Sequence, residues 1–153
     1  MAFKKAINSP IFSEISNYCS NNNIECYVVG GFVRDFILNR ECKDVDILII
    51  GDGISAAKKI ANTIDPNISV TVFKNFGTAY FKYKEYEIEF VGSRKESYVS
   101  SSRNPIVKAG TLEDDINRRD FKINSIAISL NTHNFGELVD LHDGLSDINQ
   151  KII

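Results

Sequence analysis

Apolar positions along the chain recur with two periods, and the places where the period changes mark the elements. Pro10 followed by Ile11, Phe12, Ile15 and Tyr18 predicts an amphipathic helix with proline near its start. Glu25 to Val29 is a β-rich stretch that ends on Gly30-Gly31, and Val33, Phe36 and Ile37 return to helical spacing through about Asn39. Val45 to Ile50 predicts a second strand, closed by Gly51-Asp52-Gly53. Ile54, Ala57, Ile60, Ala61 and Ile64 predict a helix over 54–64 that stops at Asp65-Pro66. Strands are expected over 68–73, 78–83 and 86–91, the last two joined as a hairpin across Lys84-Glu85. Residues 93–110 turn polar and predict a long loop. Thr111-Leu112-Glu113-Asp114 fits a capping box with Asp in place of Glu, so a helix should begin there. Ile123, Ile126, Ala127 and Leu130 carry the helical pattern onward, and 137–141 reads as a last strand. The fold class expected is α+β, a small mixed and mostly antiparallel sheet with helices packed against it.

Composition narrows this without changing it. A chain of 153 residues, 43% hydrophobic and 25% charged, has enough apolar material for the core of one ordinary domain. Eighteen Lys+Arg against twenty Asp+Glu give a net charge of −2, so nucleic acid is not held by bulk charge and any such contact must come from a local patch. No run of about eighteen apolar residues is present, and Met-Ala-Phe-Lys-Lys lacks the apolar stretch of a signal peptide. Cys19, Cys26 and Cys42 are an odd number without a CxxC pair, which indicates neither a disulfide framework nor a zinc site. No membrane association and a reduced, cytoplasmic compartment are the expectations.

Chemistry concentrates at three places. The first is Gly30-Gly31-Phe32-Val33-Arg34-Asp35, followed nine residues later by Asp44-Val45-Asp46. On a strand, Asp44 and Asp46 share one face while Val45 and Ile47 face the core. Two adjacent carboxylates repel unless a cation lies between them, and Mg2+ prefers oxygen ligands. A pair of such ions about 3.5–4 Å apart activates an attacking hydroxyl and neutralises a leaving phosphate; a solvated strand end is the plain alternative. Two glycines before a helix let a phosphate approach the backbone, though a simple turn needs them equally. Neither GxxxxGK[ST] nor GxGxxG is present. Arg34 and Asp35 point away from the buried stripe, so Arg34 suits a phosphate clamp, and Asp35 either lies with it or merely suits the helix start.

The second place is Glu85, Glu87 and Glu89, which share one strand face. Glu89 lies deepest and is the candidate third carboxylate; charge protection of an edge strand explains the same pattern. The third is Arg118-Arg119-Asp120-Phe121-Lys122-Ile123-Asn124. On a helix Asp120 and Asn124 share a face, with Asn124 available to a ribose hydroxyl or base edge and Asp120 to a neighbouring arginine. Asp114–Arg118 and Asp115–Arg119 are equally spaced for surface ion pairs worth ~0.3–0.5 kcal/mol each, and spacing leaves both readings open. His133 and His142 have no ligand spacing, and Ser100 to Ser102 lack a nucleophile elbow. Tyr80, Phe81, Tyr83 and Tyr86 read mostly as core or cross-strand packing residues, with stacking on a base as the lesser option. Arg94, Lys95 and Arg103, with Lys108, are candidates to hold the phosphates of a nucleic-acid primer.

In this order the motifs resemble the head domain of class II tRNA nucleotidyltransferases and bacterial poly(A) polymerases, from about Tyr27 to the C-terminus. Asp140-Leu141-His142-Asp143-Gly144 through Ile148 is similar to that family's third motif, which joins head to neck. The resemblance implies a head of the DNA polymerase β type and transfer of a nucleotide from CTP or ATP to the 3′ end of tRNA. It implies that Asp44 and Asp46 bind the catalytic metals, two Mg2+ ions. Gly30, Gly31 and Arg34 would face the triphosphate, and Arg119, Asp120 and Asn124 the nucleotide and its ribose. Glu89 would be the acid that many relatives carry, and 94–103 the family's mobile loop. Lys122 stands where Thr is usual and Ser125 where Ala is usual. The family's base-reading motif lies in a neck helix beyond the head, so 1–153 is expected to be a catalytic head without neck, body or tail. A poly(A) polymerase head, or a nucleotide- or RNA-binding module inactive without its neck, is the alternative.

Overall fold

The computed structural model describes residues 2–98, 105–119 and 121–151. Seven strands form one sheet: β1 (Cys26–Val29), β2 (Asp44–Ile49), β3 (Thr71–Phe73), β4 (Thr78–Tyr83), β5 (Tyr86–Gly92), β8 (Ala127–Ser129) and β9 (Leu138–Val139). Their order is β3-β4-β5-β2-β1-β8-β9, antiparallel everywhere except between β2 and β5. That parallel pair requires a crossover, which α3 (Gly53–Ile64) begins. The Asp52 carboxylate caps α3 by accepting from Ser55 N at 3.1 Å.

Helices α1 (Pro10–Asn21) and α3 cover one sheet face, and α2 (Gly31–Ile37) leads from β1 toward β2. Ile11, Phe12 and Ile15 of α1 and Ile60 of α3 are buried on Ile47, Phe81, Ile88 and Phe90. The Phe81 and Phe90 rings stack at 5.4 Å, and Tyr86 meets Phe12 edge-on at 5.9 Å. Tyr27, Val29, Leu48 and Ala127 belong to a second, smaller core with Leu112 and Ile116 of α4 (Leu112–Asn117). The part of this second face that carries Asp44, Asp46, Glu87 and Glu89 is not in that core. Among the described residues no helix is long and apolar enough to cross a membrane.

The α+β class, the first three helices and the Lys84-Glu85 hairpin agree with expectation. Two expectations do not hold. Most of the described residues in 93–110 are strand and not loop: β6 (Arg94–Tyr98) and β7 (Pro105–Ala109) pair antiparallel, Arg94 opposite Ala109 and Lys95 opposite Lys108. Nor does a helix run through Leu130. α4 opens with the predicted box, Thr111 Oγ1 accepting from Asp114 N and Asp114 Oδ2 from Thr111 N, and ends at Asn117. A 3-10 turn follows at Lys122–Asn124, and Ala127–Ser129 joins the sheet beside β1. Strand β8 is buried on both faces, so its apolar run mimics a helix.

Candidate active site

Side chains of β2 alternate as the pattern requires: Asp44 is exposed, Val45 buried, Asp46 half-buried and Ile47 buried. The parallel register sets Asp44 beside Glu87 and Asp46 beside Glu89, so four carboxylates occupy one face of two adjacent strands. On the other side Asp46 pairs with Val29, the residue before the diglycine bend. Gly30 has φ +76° and ψ −146°, a conformation nearly confined to glycine. A Cβ placed there would lie 3.2 Å from Asp46 Oδ2 and 3.4 Å from Arg119 Nη1. Bend, acid and guanidinium therefore meet at one point.

Gly31 opens α2, and a Cβ on it would press on Arg34 Nη2 at 3.2 Å. Arg34 is held from two sides, Nε donating to Asp35 Oδ1 at 2.9 Å and Nη1 to Asn124 Oδ1 at 2.8 Å. Asp35 is thus the partner of Arg34. Asn124 reaches the same cluster from the 3-10 turn and not from a helix, so its predicted sharing of a helix face with Asp120 fails; Asp120 itself lies outside the described residues. Arg118 Nη2 and Arg119 Nε both donate to Asp115, at 2.7 and 2.9 Å, and this carboxylate is buried. The expected Asp115–Arg119 pair is present, but as an interior contact and not a solvated one. Arg94 and Lys95 lie on β6, and Arg103 falls outside the described residues.

The Asp46 carboxyl is pushed up from its ordinary value, first by burial and then by the charges of Glu89, Asp44 and Asp115, against a lowering by Arg119. Tyr80, read from the sequence as packing, stands opposite Glu89 on the same face. Its phenol is pushed up by desolvation and then by the charge of Glu87. The parity of Tyr80 relative to Glu89 across the hairpin was the signal that it faces the acids.

Among the described residues no group of three or more His, Cys, Asp and Glu side chains is arranged to hold a metal. The oxygen donors fit a different kind of site: Mg2+ is commonly bound through one or two carboxylates together with substrate phosphates. Asp44 and Asp46 supply such hard donors, on a face they share with Glu87 and Glu89.

The third motif braces the second. Asp140 Oδ1 and Oδ2 accept from Gly144 N and Leu145 N at 2.7 and 2.9 Å at the start of α5 (Gly144–Asn149). A Cβ on Gly144 would collide with the Lys122 carbonyl oxygen, so the helix sits directly on the turn that carries Asn124. Ser125, where Ala is usual, is buried with its hydroxyl donating to Phe121 O at 2.9 Å, and Lys122 is exposed; neither departure disturbs the turn.

Known proteins resemble this chain in sequence and fold. The chain is 39% identical over 130 residues to the A-adding tRNA nucleotidyltransferase of Aquifex aeolicus, covering 85% of this chain and 16% of that protein. It is 34% identical over 131 residues to the CCA-adding enzyme of Lactobacillus delbrueckii subsp. bulgaricus, covering 84% of this chain and 31% of that one. A tRNA nucleotidyltransferase solved with a primer tRNA and an incoming ATP analog superposes with a TM-score of 0.78 at 34% identity, over 91% of this chain and 37% of the other. A CCA-adding enzyme solved with ATP gives 0.76 at 30%, over 95% and 32%. The chain thus has the polymerase β-type head of these enzymes and spans between a sixth and a third of the two curated relatives' length. Residues 26–153, from β1 through the third motif, match the poly A polymerase head domain, and the chain belongs to that family.

Proposed function

We propose that residues 1–153 form one nucleotidyltransferase head whose reaction adds C or A to the 3′ end of tRNA. The observation that carries this reading is the meeting of Gly30, Asp46 Oδ2 and Arg119 Nη1 within about one side chain's reach. Asp44 and Asp46 would hold Mg2+, with Glu89 beside them as the third acid. Bound there, Mg2+ would lower the pKa of the attacking hydroxyl and neutralise the leaving pyrophosphate. Gly30 and Gly31 let the triphosphate approach the backbone. The guanidinium groups of Arg34 and Arg119, both partly shielded from solvent, give it cationic donors. Asn124, fixed through its carbonyl by Arg34, keeps an amide N–H for the ribose, and Asp120 is assigned to the same task. The primer 3′-hydroxyl attacks the α-phosphate in line and pyrophosphate departs. Arg94, Lys95 and Arg103 are assigned to the phosphates of the tRNA end, and the free thiols of Cys19, Cys26 and Cys42 fit a cytoplasmic protein.

The family match favours a second reading, a poly(A) polymerase head, because that family bears its name. Incubating the protein with Mg2+, either CTP or ATP, and tRNA that ends either before its CCA or in CC separates the two. C addition excludes a pure poly(A) polymerase, A addition limited to one residue identifies an A-adding enzyme, and long A tails on any RNA identify the second reading. Equal Mg2+·ATP binding by wild type and an Asp44→Ala, Asp46→Ala double variant would reject the metal site altogether.

A further inference from the structure

We infer that Asp115 is a positioning residue for nucleotide binding: it presets the Arg119 guanidinium against the Gly30 bend, where triphosphate oxygens would lie. This rests on the proposed function. The Asp115 side chain is only 4% exposed, and each of its oxygens accepts from a different arginine, Oδ1 from Arg118 Nη2 at 2.7 Å and Oδ2 from Arg119 Nε at 2.9 Å. A buried carboxylate needs such partners, and removing them leaves an uncompensated charge. The contact to Asp115 uses Arg119 Nε, which leaves Nη1 to face the bend. Nη1 lies 3.4 Å from the point a Cβ on Gly30 would occupy, next to Asp46 Oδ2.

The backbone beneath Asp115 is equally constrained. Its neighbours Leu112 and Ile116 are buried in the second core, and α4 is closed at its start by the reciprocal Thr111–Asp114 box. Arg118 is 60% exposed and leads away to solvent, whereas Arg119 is 24% exposed. Of the two arginines that Asp115 holds, Arg119 is therefore the one committed to the site. An unrestrained arginine loses rotamer freedom on gripping a ligand, and a guanidinium already fixed avoids that loss.

Calorimetric titration of the 153-residue chain with Mg2+·ATP tests the link. Asp115→Asn is expected to weaken binding about tenfold, Arg119→Gln by a similar factor, and the double variant no more than either single change. In nitrogen–proton spectra the Arg119 Nε–Hε signal is expected to be resolved at neutral pH in the wild type and broadened by exchange in Asp115→Asn. If Asp115→Asn does not fold, Asp115→Glu keeps the buried charge while displacing the guanidinium, and is expected to lose affinity several-fold. Additive losses in the double variant, or wild-type affinity in a folded Asp115 variant, overturn the positioning role. Absence of Mg2+·ATP binding by the wild type, with the Nε–Hε signal behaving as expected, instead overturns the proposed function and leaves the Asp115–Arg119 link in place.

Discussion

At Asp46 a half-buried carboxylate faces Glu89 and Asp44, and the folded chain holds its proton more tightly than the unfolded chain does. A raised folded-state pKa gives stability that is present at low pH and lost as pH rises through that value. Asp46→Asn removes the repulsion, so the variant should be more stable than wild type at pH 7, and the difference should close below the ordinary carboxylate range. Urea midpoints across pH measure this directly; a variant less stable than wild type at pH 7 would contradict it. On the proposed function Mg2+·ATP should stabilise the wild type, read as a shift in thermal midpoint, and the same substitution should abolish that shift. Gly30 sets a second expectation. Alanine at φ +76° costs on the order of 1–3 kcal/mol in backbone strain, and its Cβ would press on Asp46 Oδ2. Gly30→Ala should therefore lower both stability and Mg2+·ATP affinity, whereas an inert turn would show only the first.

Elements explain what was legible beforehand and what was not. Strand β2 was readable because one face is buried and the other is not, so alternation shows in Asp44, Val45, Asp46 and Ile47. Strand β8 was misread as helix: Ile126, Ile128 and Leu130 alternate, but Ala127 between them is buried too, and the run fits either period. The β6–β7 pair stayed hidden because Arg94–Tyr98 is almost wholly polar and neither strand carries an alternating apolar face. Asp115 was visible as an i, i+4 partner of Arg119, but nothing in the spacing revealed that it is buried. Gly144 was recognisable only as part of a motif; its reason is the Lys122 carbonyl beneath it. Gly144→Ala forces α5 off that turn, which should cost about 1–3 kcal/mol as overpacking does. Because the turn carries Asn124, and through it Arg34, nucleotide affinity should fall as well. Chemical denaturation and calorimetry read the two effects separately, and a loss of stability with unchanged affinity would show that the brace ends at the turn.

Across the whole molecule, the proposed function gives the described groups at the site only parts that all nucleoside triphosphates share to meet. Carboxylates suit a metal, the Gly30 bend and two arginines suit phosphates, and Asn124 suits a sugar hydroxyl. Tyr80 offers a ring on the same face, but stacking on an aromatic accepts any base. Discrimination between cytosine and adenine needs hydrogen bonds to base edges, and an unpaired polar group facing the wrong base is what makes such discrimination large. The chain should therefore bind Mg2+·ATP and Mg2+·CTP with dissociation constants within about tenfold of each other, a difference below 1.4 kcal/mol. Competition calorimetry with the two nucleotides on the same preparation measures the ratio. A larger preference would place a base-reading group within residues 1–153, and substitution of Tyr80 and Asn124 in turn would then show whether either one supplies it.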